Sequence, residues 1–182
     1  MDYLQPASTT QAAHTVRLEI PEKLSFQLVF RQERSLPLDV NPANGLSFHF
    51  IDSVGAGLAQ WPALKGLFGM VGALKALAKI QRGRIFYFVA DGPQVLHTGW
   101  VTSSFCRFYR VEPGDVVIGP IWSAQASRSR GVGAYGTQMA INALLKKGVR
   151  VFFIDTANGN VPCLKMIGKC GFGAPVASYI RD

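Results

Sequence analysis

Residues 127–136 read Ser-Arg-Ser-Arg-Gly-Val-Gly-Ala-Tyr-Gly and lie between an apolar run and an amphipathic segment. In the segment that follows, apolar and small side chains recur at helical spacing. These residues are Val132, Tyr135, Gly136, Met139, Ala140, Ala143 and Leu144. The periodicity predicts a helix that begins near Gly131, and Gly148 is placed to end it.

The start of this helix has the chemistry of an anion-binding site. A helix start leaves about four backbone N–H groups without intrahelical partners. Gly131 and Gly133 have no Cβ, so the oxygens of a ligand can come close to these groups. Arg128 and Arg130 add positive charge at the same end. The stretch therefore predicts a site for phosphate or pyrophosphate.

Two nucleotide-binding motifs contain a glycine-rich loop of this kind. Residues 131–136 satisfy G-x-G-x-x-G, and Asp155 lies close to where a ribose-binding carboxylate of a dinucleotide fold is expected. However, the polar segment 123–130 separates the glycines from the apolar run 116–122, and the chain after Asp155 is too short to continue a doubly wound sheet. An NAD-type site is therefore the less favoured alternative. A triphosphate loop is excluded because no Gly-Lys-Ser or Gly-Lys-Thr occurs.

Read one frame earlier, residues 128–133 form the pattern R-x-x-G-x-G. The apolar run 149–155 follows the helix, then Asn160 precedes a short helical segment that ends in Gly171-Phe172 before a final strand over 175–181. From about 116 to 181 the sequence resembles the GCN5-related N-acetyltransferase (GNAT) superfamily, in which such a loop binds acetyl-CoA. The resemblance implies that acetyl-CoA is the co-substrate and that no metal is required.

The resemblance also implies which residues bind acetyl-CoA. Backbone N–H groups at 121–123 would bind the pantetheine and polarise the thioester carbonyl, the loop would bind the pyrophosphate, and Asn160 would hydrogen-bond the pantetheine or cap its helix. The full set is Ile121, Trp122, Ser123, Arg128, Ser129, Arg130, Gly131, Val132, Gly133, Ala134 and Asn160.

The predicted fold is a mixed, mostly antiparallel central sheet flanked by helices (α+β), in one domain over 1–182 with a mobile lead at 1–14. Two apolar runs, 84–90 and 94–102, flank Asp91-Gly92-Pro93 and predict a hairpin. Pro120 lies within the predicted strand 115–122 and predicts a bulge or a loss of pairing on one side. The resemblance implies that this strand, the fourth, separates from the fifth at 149–155.

The chain before the hairpin matches the superfamily by general layout. Residues 24–32 alternate as a half-buried strand, which the resemblance makes strand one, and 46–51 predict an additional strand. Residues 54–80 predict two helices separated at Pro62, a pair that the resemblance places between strands one and two. A membrane-surface helix is the less favoured interpretation of 54–80.

Composition limits the function classes without selecting one. The chain has 19 Lys and Arg against 11 Asp and Glu, a net charge of +8. This charge suits an acidic ligand such as CoA, although it also suits nucleic acid or an anionic membrane. The basic residues are scattered and no recognition motif accompanies them, so we expect no nucleic-acid partner. Three cysteines without metal-like spacing, and no visible secretory signal, favour a cytoplasmic setting. A homodimer is left open.

The resemblance implies direct transfer of an acetyl group from acetyl-CoA to the primary amine of a small molecule or amino sugar. His97 is the leading candidate for the base that deprotonates the amine, with His49, Asp52 and Tyr109 as weaker candidates. Ile167 stands where many relatives have a tyrosine that protonates the leaving thiolate. An acyl-CoA-binding module without catalysis is therefore the main alternative.

Overall fold

The computed structural model describes residues 26–40, 45–128 and 130–180. The predictions for 1–14 and for Ser129 lie outside the described residues. The strands are β1 (Phe26–Glu33), β2 (Leu46–Ile51), β3 (Ile85–Asp91), β4 (Gln94–Ser103), β5 (Val116–Ser123), β6 (Val151–Ala157) and β7 (Ala177–Ile180). The helices are α1 (Val54–Ala59), α2 (Trp61–Gln81), α3 (Val132–Lys146) and α4 (Val161–Lys169).

The seven strands form one sheet in the order β2-β3-β4-β5-β6-β1-β7. β5 and β6 run parallel, and every other neighbouring pair is antiparallel. The prediction of a mixed, mostly antiparallel sheet flanked by helices is confirmed. The predicted hairpin is also confirmed, because β3 and β4 pair around the turn at Asp91-Gly92-Pro93.

The strand β1 does not lie where the layout of the superfamily suggested. It is inserted between β6 and β7, where Val29 pairs with Asp155 on one side and Ala177 on the other. The strand that precedes the helical pair and borders β3 is β2. The expectation that 24–32 is strand one, followed by the two helices and strand two, is therefore wrong in its topology. A strand's partner is non-local, and the alternation within 24–32 carries no information about it.

Different helices and segments pack on the two faces of the sheet. α3 and α4 pack on one face against a core that includes Tyr87, Ile118 and Ile154. On the other face, α1 and α2 cover β2, β3 and β4. The segment 104–115 covers β5, β6 and β1 on that same face, through contacts of Cys106, Tyr109 and Val111 with Val117 and Phe153. We call these the α3 face and the α2 face.

β5 and β6 separate at the predicted place. Their pairing covers Val116 to Ile118 on β5 and ends at the pair Ile118–Ile154. The register between β4 and β5 also shifts next to Gly119-Pro120, from Val101–Ile118 to Gly99–Ile121. Because proline cannot donate a backbone hydrogen bond, Pro120 interrupts the ladder, and β5 continues paired with β4 alone. The predicted opening between these strands is confirmed.

The helical pair forms as predicted, with two differences. α2 begins at Trp61, not after Pro62, because a proline is tolerated in the first helical turn. Gly69 interrupts the helix with φ +70. Within the described residues, none of the helices combines the length and apolar character needed to cross a bilayer.

Candidate functional site

The N-terminus of α3 lies beside the end of β5. Gly131 is the N-cap residue in the left-handed conformation, with φ +79, which explains why glycine is favoured here. Among the residues that the structure describes, no side chain caps this end, and the first intrahelical bond runs from the N–H of Tyr135 to the carbonyl oxygen of Gly131. The N–H groups of the first helical turn, before Tyr135, therefore point out of the helix end. Arg128 and Arg130 are exposed next to them. This arrangement has the open backbone donors and the positive charge that the predicted anion site requires.

The three glycines of the loop have different surroundings. A Cβ at Gly131 would meet nothing within 4 Å, so the space around the helix start is open. A Cβ at Gly133 would point into the protein, 3.4 Å from the Ser123 hydroxyl. At Gly136 a Cβ would clash with His97, at 2.6 Å, and with Val89, at 2.8 Å. Gly136 therefore allows α3 to approach the sheet, while Gly131 keeps the ligand side clear.

The segment after Pro120 is held from the β4 side. Ile121, Trp122 and Ser123 pair with Gly99, Thr98 and His97 of β4. Beyond β5 the chain is anchored again, because the N–H of Ala124 and the hydroxyl of Ser127 both donate to the carbonyl oxygen of Leu96. Since no strand pairs with the other side of residues 119–123 in the described sheet, backbone groups there are available to a ligand.

His97 lies on the α3 face, beneath α3, with none of its surface exposed. Its Nδ1 lies 2.8 Å from the Ser123 hydroxyl oxygen, and its Nε2 is buried without a hydrogen-bond partner among the described residues. Burial lowers the pKa of His97 to about 4, with a smaller opposing effect of a hydrogen bond to the Trp122 backbone. This enclosure favours a structural role, because an acceptor amine would have no access to the ring.

The other sequence candidates are dispersed. Asn160 caps α4, accepting a hydrogen bond from the N–H of Cys163 at 3.3 Å. Ile167 is buried in the core of the α3 face, and Asp52 pairs with Lys147. His49 stacks on Phe88 on the α2 face, where burial lowers its pKa.

The sequence offers Asp155 only as a ribose-binding carboxylate of a dinucleotide fold. Asp155 follows Ile154 on β6, at the first position past the last pairing with β5. The hydroxyl of Tyr109 donates a hydrogen bond to its Oδ2 at 3.0 Å. Tyr109 was one of the weaker candidates, and its partner could not be found by sequence because the segment 104–115 has no periodicity.

A cavity of about 610 Å³ lies on the α2 face between the start of α2 and the sheet. Its lining includes His49, Gln60, Ala63, Leu67, Phe88 and Val95. Phe88 pairs with Thr98, and Thr98 pairs with Trp122, so the cavity lies at the same level of the sheet as the end of β5. A molecule in this cavity would lie on the opposite face of the sheet from α3.

Comparison with solved structures identifies the fold. A GNAT acetyltransferase from Colwellia psychrerythraea superposes with a TM-score of 0.58 at 15% identity, over 84% of this chain and 53% of that one. A GCN5-related N-acetyltransferase from Sphaerobacter thermophilus gives a TM-score of 0.62 at 12% identity, over 86% and 50%. The chain has the GNAT fold. The aminoglycoside N-acetyltransferase AAC(6')-Iy, solved with CoA, shares this fold with a TM-score of 0.54 at 15% identity, over 81% and 97%.

Comparisons with family models and with curated proteins give no match for this sequence. The chain spans about half the length of the first two GNAT structures named above.

The residues of this GNAT fold suit a CoA molecule. The uncapped start of α3 and the two exposed arginines match the charge of a pyrophosphate. The opening between β5 and β6 offers unpaired backbone groups to an amide-containing arm. Around Gly131 the space is open, as a bound phosphate requires.

Proposed function

We propose that the protein transfers an acetyl group from acetyl-CoA to the primary amine of a small molecule. The observation that carries this proposal is the juxtaposition of the uncapped, arginine-flanked start of α3 with the opening between β5 and β6. The first suits a pyrophosphate and the second suits a pantetheine arm. A helix start alone would suit many anions, whereas the opening next to it favours CoA.

Each part of the site has a role in this reaction. The N–H groups of Arg128 and Arg130 already donate to the carbonyl oxygens of Gln125 and Ser127. The backbone N–H groups at 131–134 and the side chain of Arg130 therefore hold the pyrophosphate. N–H groups at 121–123 hydrogen-bond the pantetheine and the thioester carbonyl, which stabilises the negative charge that develops on that oxygen during attack. Acetyl-CoA supplies the activated acetyl group. No covalent intermediate on the protein is needed, because the amine can attack the thioester carbon directly.

The cavity on the α2 face is the proposed acceptor site. It lies at the level of Trp122, which is half exposed on the same face. Its lining is mostly apolar, with His49 and Gln60 as the polar members. A bulky amine with an apolar portion fits this lining.

The first experiment is a calorimetric titration with CoA and with NAD of wild type, Arg130→Glu and Asp155→Ala. Arg130→Glu should weaken CoA binding by about 1 to 3 kcal/mol, because repulsion replaces a charge-assisted contact. Asp155→Ala should leave CoA affinity nearly unchanged. Tight NAD binding that is lost in Asp155→Ala, with no CoA binding, would overturn the proposal in favour of a dinucleotide site.

A CoA-binding module without catalysis is the second candidate, and one observation favours it. Ile167, at the position of the expected general acid, is a buried aliphatic residue. CoA release from acetyl-CoA should be followed with and without a panel of primary amines. Acceptor-dependent release supports the transferase, and CoA binding with no release across the panel supports the module.

A further inference from the structure

Asp155 lies on β6 at the point where β5 and β6 separate. The last pairing between β5 and β6 joins Ile118 to Ile154, so Asp155 is the first residue of β6 inside the opening. Side chains alternate along a strand, which puts Asp155 on the same face as Phe153. Phe153 packs with Val117 under the segment 104–115. Asp155 therefore faces the α2 face, the side proposed for the acceptor.

The space beside this carboxylate is open towards β5. Gly119 follows Ile118 on β5 and has no side chain with which to cover the opening. A Cβ at Gly119 would meet nothing within 4 Å. A small group can therefore reach the mouth of the opening next to Asp155.

The carboxylate of Asp155 is held on one side by a neutral donor. The Tyr109 hydroxyl donates to Oδ2 at 3.0 Å, and Tyr109 is itself fixed by ring contacts with Phe153 at 5.7 Å and Tyr179 at 6.1 Å. Across 26–40, 45–128 and 130–180, no Lys, Arg or His lies within ion-pair distance of Asp155. The carboxylate is partly buried and has no cation beside it, although the chain has a net charge of +8. It can therefore bind a cationic ligand.

The titratable neighbours of Asp155 keep their protons. Burial, followed by the nearby charge of Asp155 and by Cys106, raises the pKa of Tyr109. Burial also raises the pKa of the Cys163 thiol on α4, and the Asp155 charge adds to that rise against a hydrogen bond to Thr156. Tyr109 and Cys163 are therefore neutral neighbours of the Asp155 side chain.

We propose that Asp155, held by Tyr109, is the catalytic residue that receives the ammonium group of the acceptor in the opening between β5 and β6 and accepts its proton. This inference rests on the proposed acetyl transfer and names the acceptor class as a cationic primary amine. The ammonium loses one proton to the carboxylate, and the freed nitrogen lone pair forms the C–N bond to the thioester carbon. As the C–S bond breaks, sulfur takes its electron pair, and the second proton lost from nitrogen neutralises the thiolate. The proton on Asp155 then leaves to solvent.

The test uses two variants and a matched control on the full chain. Asp155→Asn keeps the shape and removes the charge, Tyr109→Phe removes the hydroxyl, and Asp91→Asn removes an exposed carboxylate at the β3–β4 turn. The acceptor probes are benzylamine, 2-phenylethylamine and spermidine, with acetyl-CoA as donor. CoA affinity of every protein is measured first by calorimetry. If wild type does not bind CoA, the proposed function itself is refuted. If wild type and the variants all bind CoA, any difference in turnover reports the role of Asp155.

We expect Asp155→Asn to bind CoA within about twofold of wild type and to lose at least about a hundredfold in kcat/KM for the best probe. Tyr109→Phe should lose about tenfold, and Asp91→Asn should match wild type. A second readout does not need turnover: in protein labelled with ¹³C-aspartate, the Asp155 carboxyl resonance, assigned with Asp155→Asn, should shift when a probe amine is added with CoA. Undiminished kcat/KM in Asp155→Asn, or an Asp155 resonance that no probe moves, would overturn the inference.

Discussion

The Nδ1 atom of His97 lies 2.8 Å from the hydroxyl oxygen of Ser123, so that a buried ring on β4 is bound to the last residue of β5. Ser123 in turn lies against Gly133 in the first turn of α3. The two regions proposed to bind CoA, the end of β5 and the start of α3, therefore share one support, which is His97. Its enclosure, which argues against a direct part in proton transfer, suits this supporting role.

The buried state of His97 predicts a pH dependence of stability. In the folded protein its pKa is about 4, against about 6.5 in an unfolded chain. Between these pH values the unfolded chain binds more protons than the folded chain. The contribution of neutral His97 to the free energy of unfolding is therefore fully present above pH 6.5 and is lost as the pH falls towards 4. The loss should reach up to about 3 kcal/mol. Urea unfolding at pH 7 and at pH 4.5 measures it.

The control for this effect is His97→Gln, which can still hydrogen-bond Ser123 but does not titrate. Its unfolding free energy should change less between the two pH values than that of wild type. The lowered pKa of His49 acts in the same direction and remains in both proteins. Equal pH dependence in wild type and variant would show that His97 is not held neutral by burial.

Gly131→Val should reduce CoA affinity strongly while the protein stays folded. The side chain would enter the open space at the start of α3 and would be strained at φ +79, at a cost of about 1 to 2 kcal/mol in stability. Gly148→Val is the matched control, because Gly148 lies just past the other end of α3 with φ +91 and open surroundings. Calorimetry with CoA should separate the two. Equal CoA affinities would remove the start of α3 from the binding site.

Gly136→Ala should destabilise the fold by about 1 to 3 kcal/mol, because the added methyl group would overlap His97 and Val89. Gly133→Ala, three residues earlier in the same helix, places its methyl 3.4 Å from the nearest atom and should be close to neutral in stability. Both variants gain similar helix propensity, so their difference reports the packing. Thermal unfolding measures it, and equal melting temperatures would contradict the close approach of α3 to the sheet.

Asn160 can be tested for two roles at once. Asn160→Ala should lower the free energy of unfolding by about 1 kcal/mol, since α4 loses its cap. Asn160→Asp keeps an oxygen that can accept the bond from Cys163 and should retain that stability. If the side-chain amide also donates to the pantetheine, Asn160→Asp should still weaken CoA binding. Unchanged CoA affinity in Asn160→Asp would leave Asn160 with the capping role alone.

Local patterns in the sequence predicted the features that depend on a few neighbouring residues. The helix start at Gly131, the turn around Gly92 and the break at Pro120 each follow from the backbone limits of glycine or proline. The same reasoning predicts the anion site, because the residues of that candidate site belong to one continuous loop. It also placed His97 on a strand, although alternation alone did not reveal that its side of the sheet is closed by α3.

The remaining features depend on contacts between distant segments. The role proposed for the Asp155 carboxylate depends on its hydrogen bond from Tyr109. Tyr109 belongs to an irregular segment, and no periodicity in the sequence predicts the path of that segment. The insertion of β1 beside β6 is equally non-local. Both were therefore missed for the same reason, which is that composition and spacing describe an element and not its partner.

The position of β1 also determines when this sheet can be completed. Its partners in β6 and β7 lie roughly 120 to 150 residues further along the chain. During synthesis, residues 26–33 leave the ribosome early and stay unpaired until almost all of the described chain has followed. Closing so long a loop slows folding, and an unpaired strand with Leu28, Val29 and Phe30 is prone to wrong association during that interval. The β2-β3-β4 part of the sheet, with its local hairpin, can form before β1 pairs with β6 and β7.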